Sequence, residues 1–367
     1  MMIRLKPVQE QVVVLTGASS GIGLATARAL ADRGARLVLV SRNESALQEI
    51  ARECSEKGAR AIPVAADVAS FEDMERVTAA AVETFGGFDT WINNAGVAIY
   101  GTVEEIPIED HRRLFETNYF GVLNGCLVAA KHLRQRGGGK IINTGSVLSD
   151  RADILQGPYS ASKHAVKGLT DALRMELEED RAPISVTLIK PSAIDTPYME
   201  HARSYLGSPG TKNPPPSYDP ELVARAMVFA CENDRRDIVI GFGGWAISAM
   251  GTIAPRLTDY VMEMGGRISQ ESDDPGRRER RDNLYEPRED GIERSSLPGG
   301  SRKTSLFLEA QLNPLSALPG MALGALAGAG LVAMQVLRPR SVQPRPRRTV
   351  RRPRSETPSS STSNQSG

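Results

Sequence analysis

Short apolar, β-branched segments alternate with longer helical stretches from Gln11 to about Gly265, and this alternation restricts the fold more than any other feature of the chain. Repeated strand–helix–strand units of this kind build a parallel sheet with helices on its faces. Most of the segments are almost entirely apolar, as expected when both faces of a sheet are covered. We therefore predict an α/β fold, a doubly wound parallel sheet of seven strands, in a single domain spanning residues 7–265. The predicted strands are residues 12–15, 37–40, 61–65, 90–93, 140–143, 185–189 and 237–240, and the main predicted helices are residues 21–33, 44–57, 71–85, 109–135 and 159–181.

A glycine-rich turn connects the first predicted strand to the first predicted helix. Gly17, Gly21 and Gly23 stand in the sequence Thr-Gly-Ala-Ser-Ser-Gly-Ile-Gly. Glycines in this context let the backbone turn tightly and approach a pyrophosphate, whose charge the helix N-terminus stabilises. The turn could also be a plain glycine loop. The side chains described next favour a dinucleotide site and a Rossmann-like sheet.

Tyr159 and Lys163 form a Tyr-x-x-x-Lys pair, with Ser146 and Asn118 upstream. Residues four apart on a helix project from one face. A phenol with a pKa of about 10 is a poor base at neutral pH, so a nearby ammonium and the positive charge of an oxidised nicotinamide should favour the phenolate. Taken singly, Tyr159 could be a half-buried helix residue and Ser146 a cap at a strand end. All four in this order favour an oxidoreductase that needs no metal.

The spacing Thr-Gly-x-x-x-Gly-x-Gly, followed by Tyr-x-x-x-Lys, resembles the short-chain dehydrogenase/reductase family over about residues 12–244. The resemblance implies that Tyr159 is the general acid/base. It also implies that Lys163 lowers the pKa of Tyr159 and binds the nicotinamide ribose. By the same resemblance, Ser146 hydrogen-bonds the reacting oxygen, and Asn118 holds a water that links Lys163 to solvent.

The resemblance implies further cofactor contacts along the chain. Asp67 would hold the adenine ring, and Ile194 and Thr196 would contact the nicotinamide carboxamide in a segment where Ser192 replaces the family's usual glycine. Asp89 matches the family position before the fourth strand. The implied cofactor-binding residues are Gly17, Ser19, Ser20, Gly21, Ile22, Gly23, Ser41, Arg42, Asp67, Val68, Asn94, Ala95, Gly96, Tyr159, Lys163, Pro191, Ile194 and Thr196.

The end of the second predicted strand indicates the choice of cofactor. An acidic residue there would accept hydrogen bonds from the ribose hydroxyls of NAD, but this chain has Ser41 and Arg42. Arg42 could pair with a 2′-phosphate through charge-assisted hydrogen bonds worth roughly 1.5–3 kcal/mol, or about tenfold or more in affinity. Arg42 could instead be a solvated loop residue. We predict NADP(H) as the cofactor in preference to NAD(H).

The chain changes character after the predicted domain. Residues 266–313 are rich in charged residues, Gly, Pro and Ser, which predicts a polar, largely disordered linker. Residues 314–337 are apolar and long enough to cross roughly 30 Å of hydrocarbon as a helix, although a buried helix is the alternative. Residues 338–367 form a tail rich in Arg, Pro and Ser that should be disordered and attracted to anionic lipid, with nucleic acid a distant second. A single crossing conflicts with the positive-inside tendency, whereas an insertion broken at Pro319 does not.

Composition excludes several other classes of protein. Lys and Arg number 45 against 44 Asp and Glu, so the net charge of +1 gives no argument for a nucleic-acid partner. Three distant cysteines and four scattered histidines favour neither a disulfide framework nor a metal site, and each histidine is expected at the surface or in helix packing. The N-terminus has no apolar stretch of signal-peptide length. We predict a cytoplasmic protein, associated with the cytoplasmic face of a membrane through residues 314–337.

The predicted function is hydride transfer between NADP(H) and an alcohol or carbonyl substrate. Residues 147–158 and 198–217 should build the substrate pocket, with the Pro-rich run 213–216 as a lid, and their composition favours a lipophilic substrate. A homodimer or homotetramer is expected. The alternative is a catalytically silent, NADP-binding scaffold or sensor. An epimerase or dehydratase is disfavoured by the glycine spacing.

Overall fold

The computed structural model describes residues 3–274, 282–288, 291–297 and 299–313, all within one compact unit. The strands are β1 (Val12–Thr16), β2 (Arg36–Ser41), β3 (Arg60–Ala65), β4 (Thr90–Asn93), β5 (Ile99–Tyr100), β6 (Gly139–Thr144), β7 (Ile184–Pro191), β8 (Arg203–Ser204), β9 (Gly210–Thr211), β10 (Asp237–Ile240) and β11 (Glu271–Ser272). The α-helices are α1 (Gly21–Asp32), α2 (Glu44–Glu56), α3 (Phe71–Phe85), α4 (Ile108–Phe115), α5 (Gly121–Arg136), α6 (Gly157–Glu179), α7 (Tyr198–His201), α8 (Pro220–Glu232), α9 (Phe242–Ile253), α10 (Pro255–Gln270) and α11 (Leu306–Leu312).

Seven parallel strands form the central sheet in the order β10–β7–β6–β4–β1–β2–β3. The predicted fold class and all seven predicted strands are confirmed. β1 lies between β2 and β4, so Val14 is paired with Val38 on one side and Trp91 on the other. The strand order reverses beside β1, and in open parallel sheets ligands bind at such a switch point, outside the carboxyl ends of the strands.

The sheet is buried on both faces. Val13 and Leu15 of β1 lie in one apolar cluster with helices α1 and α8. Val12 and Val14 lie in another, with α3 and α5. Because successive side chains of a strand point to opposite faces, a strand covered on both sides must be apolar throughout. This explains why the sequence pattern of β1 is continuous rather than alternating.

The long predicted helix 109–135 is divided in the structure. A π-helical turn, Glu116–Phe120, separates α4 from α5. Such turns insert an extra residue and often lie at functional sites. Here the turn carries Asn118, which is fully buried.

The predicted polar linker differs most from the structure. Helix α10 continues through residue 265, where the domain was expected to end. Leu308 and Leu312 of α11 are buried in the main core, and Leu284 is fully buried in a third apolar cluster. Three leucines of this segment, Leu284, Leu308 and Leu312, are therefore core residues. The prediction of a largely disordered linker is wrong for the parts of 266–313 that the structure describes.

The predicted apolar segment 314–337 and the tail 338–367 lie outside the described residues. Within the described ranges, no helix is both long and apolar enough to cross a bilayer.

Candidate active site

The glycine-rich turn after β1 needs glycine at three positions. Gly17 and Gly21 have φ values of +65° and +52°, in the left-handed region that favours glycine. A Cβ on Gly23 would lie 1.8 Å from the carbonyl oxygen of Gly17. The Asn94 side chain fixes the turn by donating to the carbonyl oxygens of Thr16 (3.1 Å) and Gly17 (3.2 Å). These contacts fix the shape of the turn at the start of α1.

Tyr159 and Lys163 lie one turn apart on α6, at the carboxyl end of the sheet. The Lys163 Nζ atom is 5.6 Å from the centroid of the Tyr159 ring and donates to the Thr144 carbonyl oxygen at 2.8 Å. Ser146 follows β6 directly and caps a short 3₁₀ turn, where its hydroxyl accepts from the Leu148 N–H at 3.0 Å. The cap fixes Ser146 beside the phenol.

Asn118 lies behind the catalytic pair. Its side-chain oxygen accepts from the Val97 N–H at 2.8 Å and its amide donates to the Val97 carbonyl at 3.0 Å. Both bonds hold the chain that leaves β4. A Cβ on Gly96 would lie 3.4 Å from the Asn118 Oδ1 and 3.8 Å from the Lys163 Nζ. Gly96 therefore lies in van der Waals reach of both groups.

Burial sets the protonation of the pair. It raises the pKa of Tyr159, although the nearby hydroxyls of Tyr198 and Ser146 act in the opposite direction. Burial lowers the pKa of Lys163 to about 8. Without nucleotide, Lys163 does not lower the pKa of Tyr159, because Lys163 is itself desolvated and donates to the Thr144 carbonyl. The combined effect expected of the ammonium and an oxidised nicotinamide stays a prediction. The resting group is a neutral phenol.

Tyr198 completes the apolar wall around this phenol. Its ring meets the Tyr159 ring edge-on, with centroids 5.5 Å apart. The Tyr198 hydroxyl is buried and has no partner at hydrogen-bonding geometry among the residues described, so we attribute its effect on the pKa of Tyr159 to proximity. It is placed to donate to, or accept from, a group that enters the cleft.

At the other end of the cleft, the predicted cofactor residues are held by ion pairs and backbone contacts. Asp67 pairs with Arg113 at 2.8 Å. Burial acts to raise the pKa of Asp67, but Arg113 and the Ala69 N–H outweigh it and lower the pKa. Arg42 donates to the carbonyl oxygens of Asn283 and Tyr285.

One cavity of about 400 Å³ connects the two ends. Every predicted catalytic and cofactor-binding residue except Asn118 lines it. The cavity runs from Arg42 past the glycine turn to Tyr159. This extended shape fits a dinucleotide. Ser192 stands at the position of the family's usual glycine and lies close to Gly241. A Cβ on Gly241 would be 2.1 Å from the Ser192 hydroxyl oxygen.

The substrate end contains residues that sequence reasoning missed. Gly244, Ile247 and Ser248 of α9 and Met262 of α10 line the cavity together with the expected Pro214–216. Of the expected pocket residues, Tyr205 lies outside the cavity and its hydroxyl donates to Asp110. No local pattern marks α9 and α10 as pocket walls, because their role depends on contacts distant in sequence.

Asp153 and His201 are among the ionisable groups that line the substrate end. Burial raises the pKa of Asp153 to about 6, against the Ile154 N–H and Arg151, which act to lower it. One Asp153 carboxylate oxygen is buried and lacks a partner within the described part of the chain. His201, expected at the surface or in helix packing, also lines the cavity. Both groups adjoin the place where a substrate would lie.

Comparison with known proteins bears on this arrangement. A family model described as short chain dehydrogenase matches residues 11–206. The chain is 43% identical over 332 residues to the uncharacterized oxidoreductase YxnA of Bacillus subtilis (strain 168), which covers 90% of this chain and 91% of that protein.

Solved structures resemble the described fold. L-sorbose reductase from Gluconobacter frateurii, complexed with NADPH and L-sorbose, is 28% identical with a TM-score of 0.55, covering 65% of this chain and 97% of that one. A short chain dehydrogenase/reductase from Burkholderia phymatum in complex with NAD is 28% identical with a TM-score of 0.61, covering 70% and 96%. Both nicotinamide dinucleotides therefore occur in proteins of this shape.

Proposed function

This chain belongs to the short-chain dehydrogenase family, and from that premise we propose that it is an NADP(H)-dependent oxidoreductase that interconverts an alcohol and a carbonyl compound. The observation that carries the proposal is the convergence of Ser146, Tyr159 and Lys163 at one end of a cavity whose other end is the glycine turn. Such a cavity allows a dinucleotide and a small substrate to meet at the phenol.

Tyr159 is the proposed general acid/base. When bound, the nicotinamide supplies or accepts the hydride. Because the Tyr159 phenol is neutral at rest, it is ready to give its proton to a carbonyl oxygen during reduction. The Ser146 hydroxyl orients that oxygen, and the Lys163 ammonium stabilises the phenolate that proton transfer leaves behind. In the oxidation direction the same phenolate takes the proton back.

Arg42 supports the proposed preference for NADP(H). The end of β2 reads Ser41, Arg42, Asn43, with no carboxylate to repel a 2′-phosphate. The carbonyl oxygens of Asn283 and Tyr285 orient the guanidinium there. We expect Arg42→Ala to weaken NADPH binding by about tenfold or more beyond any loss of NADH binding, because only NADPH carries the 2′-phosphate. Equal losses for both nucleotides in fluorescence titrations would contradict this assignment.

A lipophilic alcohol or ketone is the proposed substrate. Leu148, Met199, Ile247 and Met262 supply an apolar wall at the phenol end of the cavity. The neighbouring outer faces of α9 and α10 are also apolar, and Ile253 on this surface is 84% exposed. Apolar walls recognise substrates mainly by excluding water.

The proposed partners follow from exposed apolar side chains and from the sequence. Phe120, Leu127 and Met175 are exposed on α5, α6 and the π turn between α4 and α5, and would be covered in a homo-oligomer. Membrane contact through residues 314–337 and the Arg-rich tail stays a prediction, since both lie outside the described residues.

Tyr159→Phe tests the function. We expect it to lower turnover by roughly 10²–10⁴-fold while NADPH still binds, because only the transferable proton is removed. Tyr260→Phe is the matched control, since Tyr260 is 51% exposed on α10 and does not line the cavity. Both variants are assayed with NADPH against a panel of ketones and aldehydes. If Tyr159→Phe were as active as the unmodified protein, the proposed acid would be wrong.

A further inference from the structure

Two stretches of the C-terminal segment, residues 282–288 and 291–297, lie against the nucleotide end of the cleft; we call them the strap. The strap contacts the glycine turn directly. The Gly291 N–H donates to the Ser19 carbonyl oxygen at 2.8 Å, and the Gly21 N–H donates to the Ile292 carbonyl oxygen at 2.9 Å. Both bonds join the strap to the loop that would face a pyrophosphate.

An apolar residue anchors the first stretch. Leu284 is fully buried in a cluster with Val97, Ile99 and Leu114, all from the segment after β4 or from α4. The neighbouring Asn283 N–H donates to the His201 carbonyl oxygen at 2.9 Å. Leu284 is thus placed to hold this stretch down independently of the polar contacts.

A buried carboxylate adds a second attachment. Asp110, only 4% exposed, accepts from the Tyr285 hydroxyl at 2.8 Å and from the Tyr205 hydroxyl at 2.6 Å. Arg203 pairs with Asp110 at 3.0 Å and lies over the Tyr285 ring, 5.0 Å from its centroid. The contact therefore combines charge with an aromatic ring.

The second stretch is attached on the opposite side of the cleft. Arg294 pairs with Asp219 at 3.0 Å, and the Ser295 hydroxyl donates to Asp195 at 2.6 Å. Asp195 and Asp219 belong to the connection between β7 and α8. The strap is therefore fixed to both walls of the cleft.

One face of the strap belongs to the cavity itself. Asn283, Pro287 and Arg288 line it together with the glycine turn. The side-chain oxygen of Asn283 is buried and has no hydrogen-bond donor among the residues that the structure describes. A buried acceptor without a partner is costly unless a ligand supplies the donor. Asn283 adjoins Arg42, which donates to its carbonyl oxygen, at the end of β2.

We propose that the strap is the outer wall of the cofactor site, with Asn283 hydrogen-bonding the adenosine of the nucleotide, and that the cofactor leaves only when the strap detaches. The adenosine of NADP(H) offers the required donors in its ribose 3′-hydroxyl and its amino group. The inference rests on the proposed function for the identity of the nucleotide. The strap bounds a cavity that stays continuous from Arg42 to Tyr159, so it acts as a wall and not as a plug.

Dissociation kinetics test the strap in the full-length protein. NADPH-loaded protein is mixed with excess NADP⁺, and the loss of bound NADPH fluorescence gives the dissociation rate. Leu284→Ala removes the apolar anchor, and we expect NADPH dissociation to accelerate on the order of tenfold or more and binding to weaken; because the nucleotide enters through the same opening, association should not slow. Asn283→Ala should weaken NADPH binding several-fold without loosening the strap. Leu306→Ala is the control, because Leu306 belongs to the same segment but is 76% exposed.

Hydrogen exchange supplies a second readout. NADPH should slow exchange of the Asn283 amide, which is bonded to the His201 carbonyl, and Leu284→Ala should speed it in the absence of nucleotide. Should Leu284→Ala fail to fold, Tyr285→Phe removes only the bond to Asp110 and replaces it in both measurements. If the NADPH dissociation rate is unchanged in Leu284→Ala, or in Tyr285→Phe where that variant replaces it, the proposal is overturned. It is also overturned by faster association with tighter binding, which would make the strap an inhibitor. Absence of nicotinamide nucleotide binding in every variant would instead refute the proposed function.

Discussion

Lys163→Met should change the pH dependence of folding stability in a defined direction. Lys163 is buried, and its pKa is lowered from 10.5 to about 8. At about 1.4 kcal/mol per unit, this difference corresponds to about 3 kcal/mol. The cause is burial of the ammonium, which the single hydrogen bond to Thr144 does not offset.

The sign follows from proton binding in the two states. Below about pH 8 Lys163 is charged in both the folded and the unfolded protein, so the full cost of burying the charge is present. Between pH 8 and 10.5 the folded state has lost the proton and the unfolded state has kept it. The free energy of unfolding therefore rises with pH in this window and the cost is absent above it. Lys163→Met removes the part of this dependence that Lys163 contributes.

Urea unfolding of the nucleotide-free protein at pH 7 and at pH 10 measures the effect, with the fully buried Trp91 as the fluorescence probe. At pH 7 we expect the free energy of unfolding of Lys163→Met to exceed that of the unmodified protein by about 2 kcal/mol. This is the burial cost of about 3 kcal/mol less about 1 kcal/mol for the lost bond to Thr144. The gain should vanish towards pH 10. If the free energies of unfolding of the two proteins differed by the same amount, within about 1 kcal/mol, from pH 7 to pH 10, the reasoning would be refuted.

Lys140→Met is the matched control for Lys163→Met. Lys140 is also fully buried, its pKa is likewise lowered to about 8 by burial, and it donates to Ser185 at the amino end of the sheet. Lys140→Met should change the pH dependence of folding stability in the same way as Lys163→Met does. It should leave proton transfer by Tyr159 unaffected. A loss of turnover in Lys163→Met alone would separate the catalytic role of Lys163 from the cost of its burial.

Three further predictions concern the glycine turn, the core and the substrate end of the cavity. Gly23→Ala should abolish nucleotide binding in fluorescence titrations, because its Cβ would lie 1.8 Å from the Gly17 carbonyl oxygen. Gly168→Ala is the control: residue 168 has open space around it on α6, and the substitution should stabilise the protein by about 0.5–1 kcal/mol. Leu308→Ala should destabilise the protein by about 2–5 kcal/mol in urea unfolding and Leu306→Ala by less than about 0.5 kcal/mol, since only Leu308 is buried; equal effects would contradict the placement of α11. Because the pKa of Asp153 is about 6, KM for a neutral lipophilic substrate should increase from pH 5 to pH 7 as the carboxylate ionises, and Asp153→Asn should show no such change in steady-state assays.

The strands and the glycine turn could be predicted because their determinants are local. A strand that is buried on both faces requires a continuous apolar run, and the turn at Gly17 requires a residue that tolerates positive φ. The pairing of Tyr159 with Lys163 follows from helix geometry alone. These features need no knowledge of distant contacts. The family's residue spacing adds the expected positions of Ser146 and Asn118.

The C-terminal segment shows where such reasoning fails. Its polar composition predicts a solvated linker, yet Leu284 and Leu308 are fully buried. Composition averages over a segment, whereas burial depends on whether a single side chain meets an apolar pocket. Those pockets are built by helices α4 and α8, far away in the sequence.

The amino-acid sequence by itself determined the sheet and the glycine turn and indicated the candidate catalytic side chains, since each depends mainly on neighbours within a few residues. Only the tertiary structure decided that the pKa of Tyr159 lies above that of a free phenol, because burial outweighs the opposing effect of the Tyr198 and Ser146 hydroxyls. The tertiary structure also decided that the strap forms a wall at the nucleotide end of the cleft. Its contacts with Ser19 and Gly21 join residues more than two hundred positions apart, and no local pattern encodes a pairing at that distance.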